Sequence, residues 1–371
     1  MYSFIARMIE NSEKSFNVGI CGENLDRNRI IGQAFGAPGT RSDIQFYNRL
    51  DDTLGYIFCA ITPVDYPEKI KSLLQMLMMT DIYVLVVDLT TGLNPIVGEI
   101  LVAMDQFNQV YHKKSIICLD NIKNNEWKIP DISKKLRTIS DTTSLKQTGI
   151  ITIENREDLE ILKKKVIELG LEFLIEQKNK TNHSYTKILI DHVFPVKGIG
   201  TVALALIKGG TLKKGQMLEI VGYNGSAKKV LIKNIQKQDK NFNIAFINDR
   251  VGLALKGINP SEINRENILA SPDIFKRERD IEADVYINEY YKPKKGKIIP
   301  GEEKQYHGLV DLRLSPLKFL EGNEIKPGNN GSVKIHFDKP LFHDGSGLKG
   351  ILVELNKFQS KNRIVGYFTQ K

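Results

Sequence analysis

The sequence predicts a doubly wound α/β unit followed by two all-β barrels. Three observations predict it. Strand-like and helix-like segments alternate strictly through the first half, short strands between Gly, Asn and Lys turns fill the second, and two polar breaks divide the chain. At 371 residues the chain exceeds one comfortable core, so several domains are expected. The boundaries fall at 1–180 for the α/β unit, 181–272 for the first barrel and 273–371 for the second.

The elements follow in order. "SFNVGIC" reads as a strand, "RIIGQAFG" opens a short helix, "GYIFCAITP" is a strand and "YPEKIKSLLQMLMM" has helical apolar spacing. "DIYVLVVDL" is a near-continuous apolar run of the kind buried in a parallel sheet; the helix "PIVGEILVAMDQF" and a second buried strand, "KKSIICLD", come next. A helix near "DISKKLRTIS", the strand "GIITI" and the helix "REDLEILKKKVIELGLEFLIEQ" complete the alternation. Beyond the polar "QKNKTNHS" come "KILIDHVFPV", "GTVALALIKG", "QMLEIVGYN", "KVLIKNIQ" and "RVGLALKGI"; beyond "SPDIFKRER" come "EADVYIN", "GLVDLRLSPLKFL", "GSVKIHF", "GILVELNKF" and "RIVGYFTQ". Two sets of short strands predict two small barrels.

Charge divides unevenly. Residues 1–180 carry 22 Lys and Arg against 24 Asp and Glu, a net of −2, whereas residues 181–371 carry 31 against 20, a net of +11. The basic half points to a polyanionic partner. No apolar run reaches the roughly 20 residues of a membrane span, and Arg7, Glu10 and Glu13 break any signal-peptide profile, so no membrane partner and a cytoplasmic location are expected. Cys21, Cys59 and Cys118 lie in apolar strand segments without metal-ligand spacing and read as small buried hydrophobes. None of the six histidines has metal-ligand spacing; "FHDGSG" reads as a turn.

"NVGICGENLDRNRIIG" has the setting of a phosphate loop, an apolar strand running through a glycine into a helical pattern. In the second half, "IDHVFPVKGIGTVALALIKGGTLKKGQMLEIVG" and "NDRVGLALKGINPSEINRENILASP" resemble the second-domain signature of translational GTPases of the elongation factor Tu type, most closely the selenocysteine-specific SelB branch. The resemblance covers nearly the whole chain. It implies a P-loop-GTPase-like first domain, aminoacyl-tRNA and the ribosome as partners, and a monomer. The chain reads out at the third domain, so the fourth domain with which SelB-type factors engage RNA is not expected.

The nucleotide motifs depart from that pattern. A phosphate loop GxxxxGK[ST] needs a closing glycine, a lysine for the outer phosphates and a hydroxyl for Mg²⁺. Here Gly22 opens the motif, but Arg27, Asn28 and Arg29 occupy those positions, and Arg41 falls where a Mg²⁺-closing threonine is expected. The DxPGH motif becomes Asp65, Tyr66, Pro67, Glu68 and Lys69, and the guanine-reading NKxD becomes Asp120, Asn121, Ile122 and Lys123. Ser144-Leu145 stands for the last element, Ser-Ala-Leu.

Losing the lysine and the guanine carboxylate costs about 3–6 kcal/mol of ligand binding, roughly a hundredfold or more in affinity. No cofactor is therefore expected, and GTP hydrolysis by the family's mechanism is not. The alternative is an active GTPase holding GTP and Mg²⁺ through Arg27, Arg29 and Asn121, since two guanidiniums at a helix start can meet phosphate by another geometry. A third reading makes the first half a protein-docking scaffold. For tRNA, the resemblance and the charge together nominate Lys197, Arg250, Lys361 and Arg363, and "YYKPKKGKIIPGEEK" combines two tyrosines with lysines able to stack on a base and meet phosphate. The resemblance leaves selenocysteinyl-tRNA, pyrrolysyl-tRNA and other non-standard charged tRNAs open.

Overall fold

The computed structural model describes residues 14–51, 56–180, 185–223, 228–355 and 361–371; the charged first residues and part of the polar break before the second domain lie outside them. The first domain runs β1 (Lys14–Gly22), α1 (Leu25–Phe35), β2 (Ala37–Arg41), β3 (Ile44–Asp51), β4 (Tyr56–Pro63), α2 (Ile70–Met79), β5 (Ile82–Asp88), α3 (Pro95–Tyr111), β6 (Lys114–Asp120), α4 (Ile129–Asp141), β7 (Gly149–Thr152) and α5 (Arg156–Lys180). The sheet order is β2-β3-β4-β1-β5-β6-β7. Strands β4, β1, β5, β6 and β7 are parallel, and β2 and β3 form an antiparallel edge. Every residue of β5 is buried, because helices cover both faces of a parallel sheet. Cys21, Cys59 and Cys118 sit in that core as unpaired thiols, and burial pushes the first two up to about 12.

The second domain closes a six-strand ring. Strands β11 (Met217–Val221), β16 (Ile268–Ala270), β8 (Lys187–Val196), β9 (Gly200–Gly209), β15 (Arg250–Lys256) and β12 (Lys228–Lys237) follow one another, and β11 pairs back onto β12; the short β10 (Thr211–Lys213) pairs with β14 (Ile244–Phe246), and β13 (Lys240–Phe242) with β12. The third domain is a closed barrel of β17 (Lys276–Ile287), β20 (Asn330–His343), β19 (Arg313–Gly322), β18 (Tyr306–Val310), β21 (Lys349–Val353) and β22 (Ile364–Gln370). Closure removes the sheet edges that short amphipathic strands would otherwise expose. No helix among the described residues is long and apolar enough to cross a membrane.

The domains meet through buried and part-buried polar contacts. Between the first and second, Ser15 donates to Asp249 at 2.7 Å, Lys208 reaches Asp81 at 2.9 Å, and Arg265 Nη1 donates to both Asp43 oxygens at 2.9 and 2.8 Å. Between the first and third, Arg363 pairs with Glu99 on α3, Nη2 to Oε2 at 2.6 Å, and both side chains are almost wholly buried. Tyr66 donates to the same carboxylate at 3.2 Å, and the Arg363 guanidinium lies over its ring.

Candidate functional site

In a parallel sheet, ligand chemistry gathers beyond the carboxyl ends of the strands. That edge carries Gly22 at the end of β1, Asp88 at the end of β5, and Asp120 and Asn121 at the end of β6. Only Glu23 and Asn24 separate β1 from α1, so Leu25 to Arg29, where a phosphate loop would run, are helical. Asn24 caps the helix: its side-chain oxygen accepts from the Arg27 amide at 3.2 Å, and its carbonyl accepts from the Asn28 amide at 3.0 Å. Amides that would face phosphate are thus spent on the helix start.

Side chains fill the space above. Arg27 donates through Nε and Nη2 to the two oxygens of Asp120 at 2.5 and 2.7 Å, and this bond raises the guanidinium above its ordinary value. Asp120 is buried, its side chain only 1% exposed, so the fork replaces water for a charge that needs a partner. Asp88 accepts from Asn24 and Asn121, each at 2.8 Å, and from the Thr90 amide and hydroxyl at 2.8 and 2.6 Å. Burial opposes its charge, but these donors hold the carboxyl below the usual range. Glu23, at the rim, is pushed the other way, by burial first and by Asp88 second. Trp127, in a 3₁₀ turn after β6, stands 76% exposed beside this edge; the neighbouring Lys128 donates to the carbonyls of Leu89 and Thr90.

The predicted residues have different fates. Gly22 remains for packing, since a Cβ there would lie 2.3 Å from the Val86 carbonyl oxygen of the neighbouring strand. Asn28 is buried and donates to the Gly22 carbonyl at 2.9 Å. Arg29 is not brought to the site: it is exposed and reaches Asp26 at 3.3 Å. Arg41 is exposed at the end of β2. Asp65 leaves the same sheet edge but pairs with Lys69 at 2.9 Å.

Ser144 needs correction. It precedes β7 and so lies at the opposite, amino-terminal edge of the sheet, where it donates to Asp105 on α3 at 2.7 Å. The loop that follows β7, at the carboxyl edge, holds Ile153, Glu154 and Asn155. Asn24 and Asp88 were missed; a carboxylate ending a seven-residue buried strand is the signal that could have found Asp88. Among the described residues no group of three or more His, Cys, Asp and Glu has the arrangement of a metal site.

Two of the four proposed tRNA contacts also need correction. Arg250 has a side chain only 10% exposed; it forms an ion pair with Asp191 at 2.9 Å and packs over the ring of Phe46 in β3 at 3.6 Å. Arg363 is committed to Glu99. Both seal domain seams, because an apolar setting that makes an arginine conspicuous also demands that it be paired. Lys197 and Lys361 remain exposed.

The similarities agree with this architecture. The profile of the family "Elongation factor Tu domain 2" matches residues 200–269. The uncharacterized protein MJ0325 of Methanocaldococcus jannaschii is 28% identical over 317 residues, 85% of this chain and 88% of that protein. The selenocysteine-specific elongation factor of the same organism is 35% identical over 222 residues, 57% of this chain, and the match spans only 45% of that factor. Among solved structures, SelB from Methanococcus maripaludis with the GTP analogue GppNHp superposes with a TM-score of 0.76 at 22% identity, covering 96% of this chain and 79% of that one. A bacterial selenocysteine-specific elongation factor gives 0.77 at 17% identity, covering 96% and 58%. The chain thus carries an elongation factor Tu-type second domain and shares the fold of the SelB structures, and over 222 residues it is similar to a selenocysteine-specific elongation factor.

Proposed function

We propose that this chain is a SelB-like elongation factor paralogue that binds charged tRNA as a body of fixed shape, without a GTP-driven switch. One observation carries the reading. The connection from β1 to α1 is two residues long, and Arg27 in the first turn of α1 reaches across to Asp120, where a phosphate cradle and a guanine reader would stand in a working site. Domain rearrangement needs a ligand that binds one arrangement better than another, and a closed site offers no such difference. The buried Arg363–Glu99 pair and the Arg265–Asp43 contact favour a single arrangement.

The net charge of +11 on residues 181–371 supports a polyanion as partner, with Lys197 and Lys361 among the exposed cations that would meet phosphates. Likeness to selenocysteine-specific factors favours a non-standard charged tRNA. Filter binding with labelled selenocysteinyl-, pyrrolysyl- and standard aminoacyl-tRNA at two salt concentrations tests this. Binding that weakens steeply with salt is expected; no binding, or binding indifferent to salt, overturns it. Calorimetry with GTP or GDP plus Mg²⁺ tests the closed site separately: silence is expected, and micromolar binding with turnover would make the chain a working GTPase.

A further inference from the structure

A cavity of about 460 Å³ lies on the other side of the first domain, where all three domains meet. Four lysines from three domains line it: Lys113 from the first, Lys187 and Lys208 from the second, and Lys349 from the third. Lys113 and Lys208 share one buried carboxylate. Lys208 reaches Asp81 at 2.9 Å, while Lys113, its side chain 8% exposed, stands 3.6 Å from the same carboxylate and donates to the Thr80 carbonyl at 2.6 Å. Lys187 pairs with Asp311 at 2.7 Å. Lys349 faces the ring of Tyr111 at 5.5 Å and has no carboxylate at ion-pair distance among the described residues.

The remaining acids on this wall are occupied. Asp344 accepts from the Tyr185 hydroxyl and from the Ser346 hydroxyl at 2.5 Å. His343 borders the same cavity and is buried; its Nδ1 accepts from the amides of Gly345 and Gly347, which leaves the proton on Nε2. Nε2 makes no hydrogen bond and lies 3.5 Å from Glu278. Ammonium groups therefore crowd a partly desolvated space with fewer negative charges than positive ones. Burial and the neighbouring lysines hold both Lys113 and Lys349 below the ordinary lysine value. An anion placed among them would gain charge-assisted hydrogen bonds and relieve the repulsion.

We propose that this three-domain cavity binds a small phosphate-class oxyanion, held by Lys349 and Lys113, which ties the domains together. The site is remote from the closed nucleotide edge, and the inference does not depend on tRNA binding. The test measures thermal unfolding and calorimetric binding of the full chain with orthophosphate, pyrophosphate or sulfate, against chloride at matched ionic strength. Saturable binding with a rise in Tm is expected, with orthophosphate and pyrophosphate separating a free from a linked phosphate group. Lys349→Gln, which strands no ion-pair partner among the described residues, is expected to weaken binding at least tenfold, whereas Lys134→Gln, exposed on α4 and away from the cavity, leaves it unchanged. Stabilisation equal to that by chloride, or binding unaffected by Lys349→Gln, overturns the proposal.

Discussion

Two arginine–carboxylate forks in this molecule resemble each other in chemistry and differ in consequence. Arg27–Asp120 closes the carboxyl edge of the first sheet from within one domain, whereas Arg363–Glu99 joins the first domain to the third. Arg27 keeps a quarter of its side chain in water, at 26%, while the interdomain pair has 5% and 7%. The first fork occupies a place where a ligand would bring charge; the second holds a surface that would otherwise part. Both spend a guanidinium on a carboxylate of the chain itself, one within a domain and one between two.

The interdomain fork should be the more costly to break. Arg363→Ala leaves Glu99 buried without its cation, and a loss of about 3–5 kcal/mol is expected, read as a lower urea midpoint or a separate transition for the third domain. Changing both partners, Arg363→Met with Glu99→Leu, should recover much of the loss, because no buried charge is then stranded. Arg27→Ala should cost less, about 1–3 kcal/mol, since water reaches that fork. It should not create GTP binding by calorimetry, because the amides of Arg27 and Asn28 stay engaged with Asn24.

A pH dependence is expected from the opposite edge of the sheet. Burial, then Lys208, brings Lys113 down to about 7, against an unfolded value near ~10.4. Between those values the unfolded chain holds the extra proton, so stability should rise with pH across that window, with a slope of at most about one proton. Urea unfolding from pH 6.5 to 9.5, a range set to span about that window, measures it; Lys113→Met should flatten the slope. The smallest change is expected from Lys197→Ala: stability within about 0.5 kcal/mol of the parent, and a salt slope of tRNA binding reduced by about 1.

Much of the fold was legible in the sequence because it rests on local patterns. Apolar runs of β5 and β6, the helical spacing of α3 and the glycine turn between β8 and β9 each announce an element without long-range information. The contacts that fill the site were not legible. Arg27 visibly lacks the chemistry of a closing glycine, yet nothing within a few residues of it points to Asp120, 93 positions away. Ser144 was misplaced because a dipeptide was matched before a strand, while site loops in a parallel sheet follow their strands. Arg250 and Arg363 were nominated on resemblance and charge, but their side chains are buried in seams that only the packing of three domains defines.

Trp127 gives the closed edge an optical use. It is the only tryptophan in the chain, and its ring is bathed in water next to a lysine tethered to the backbone beside Asp88. Its fluorescence reports from this rim alone and is silent about both barrels. Any molecule that prised Lys128 from its carbonyl anchors would alter the emission, so entry at this edge can be followed without a label.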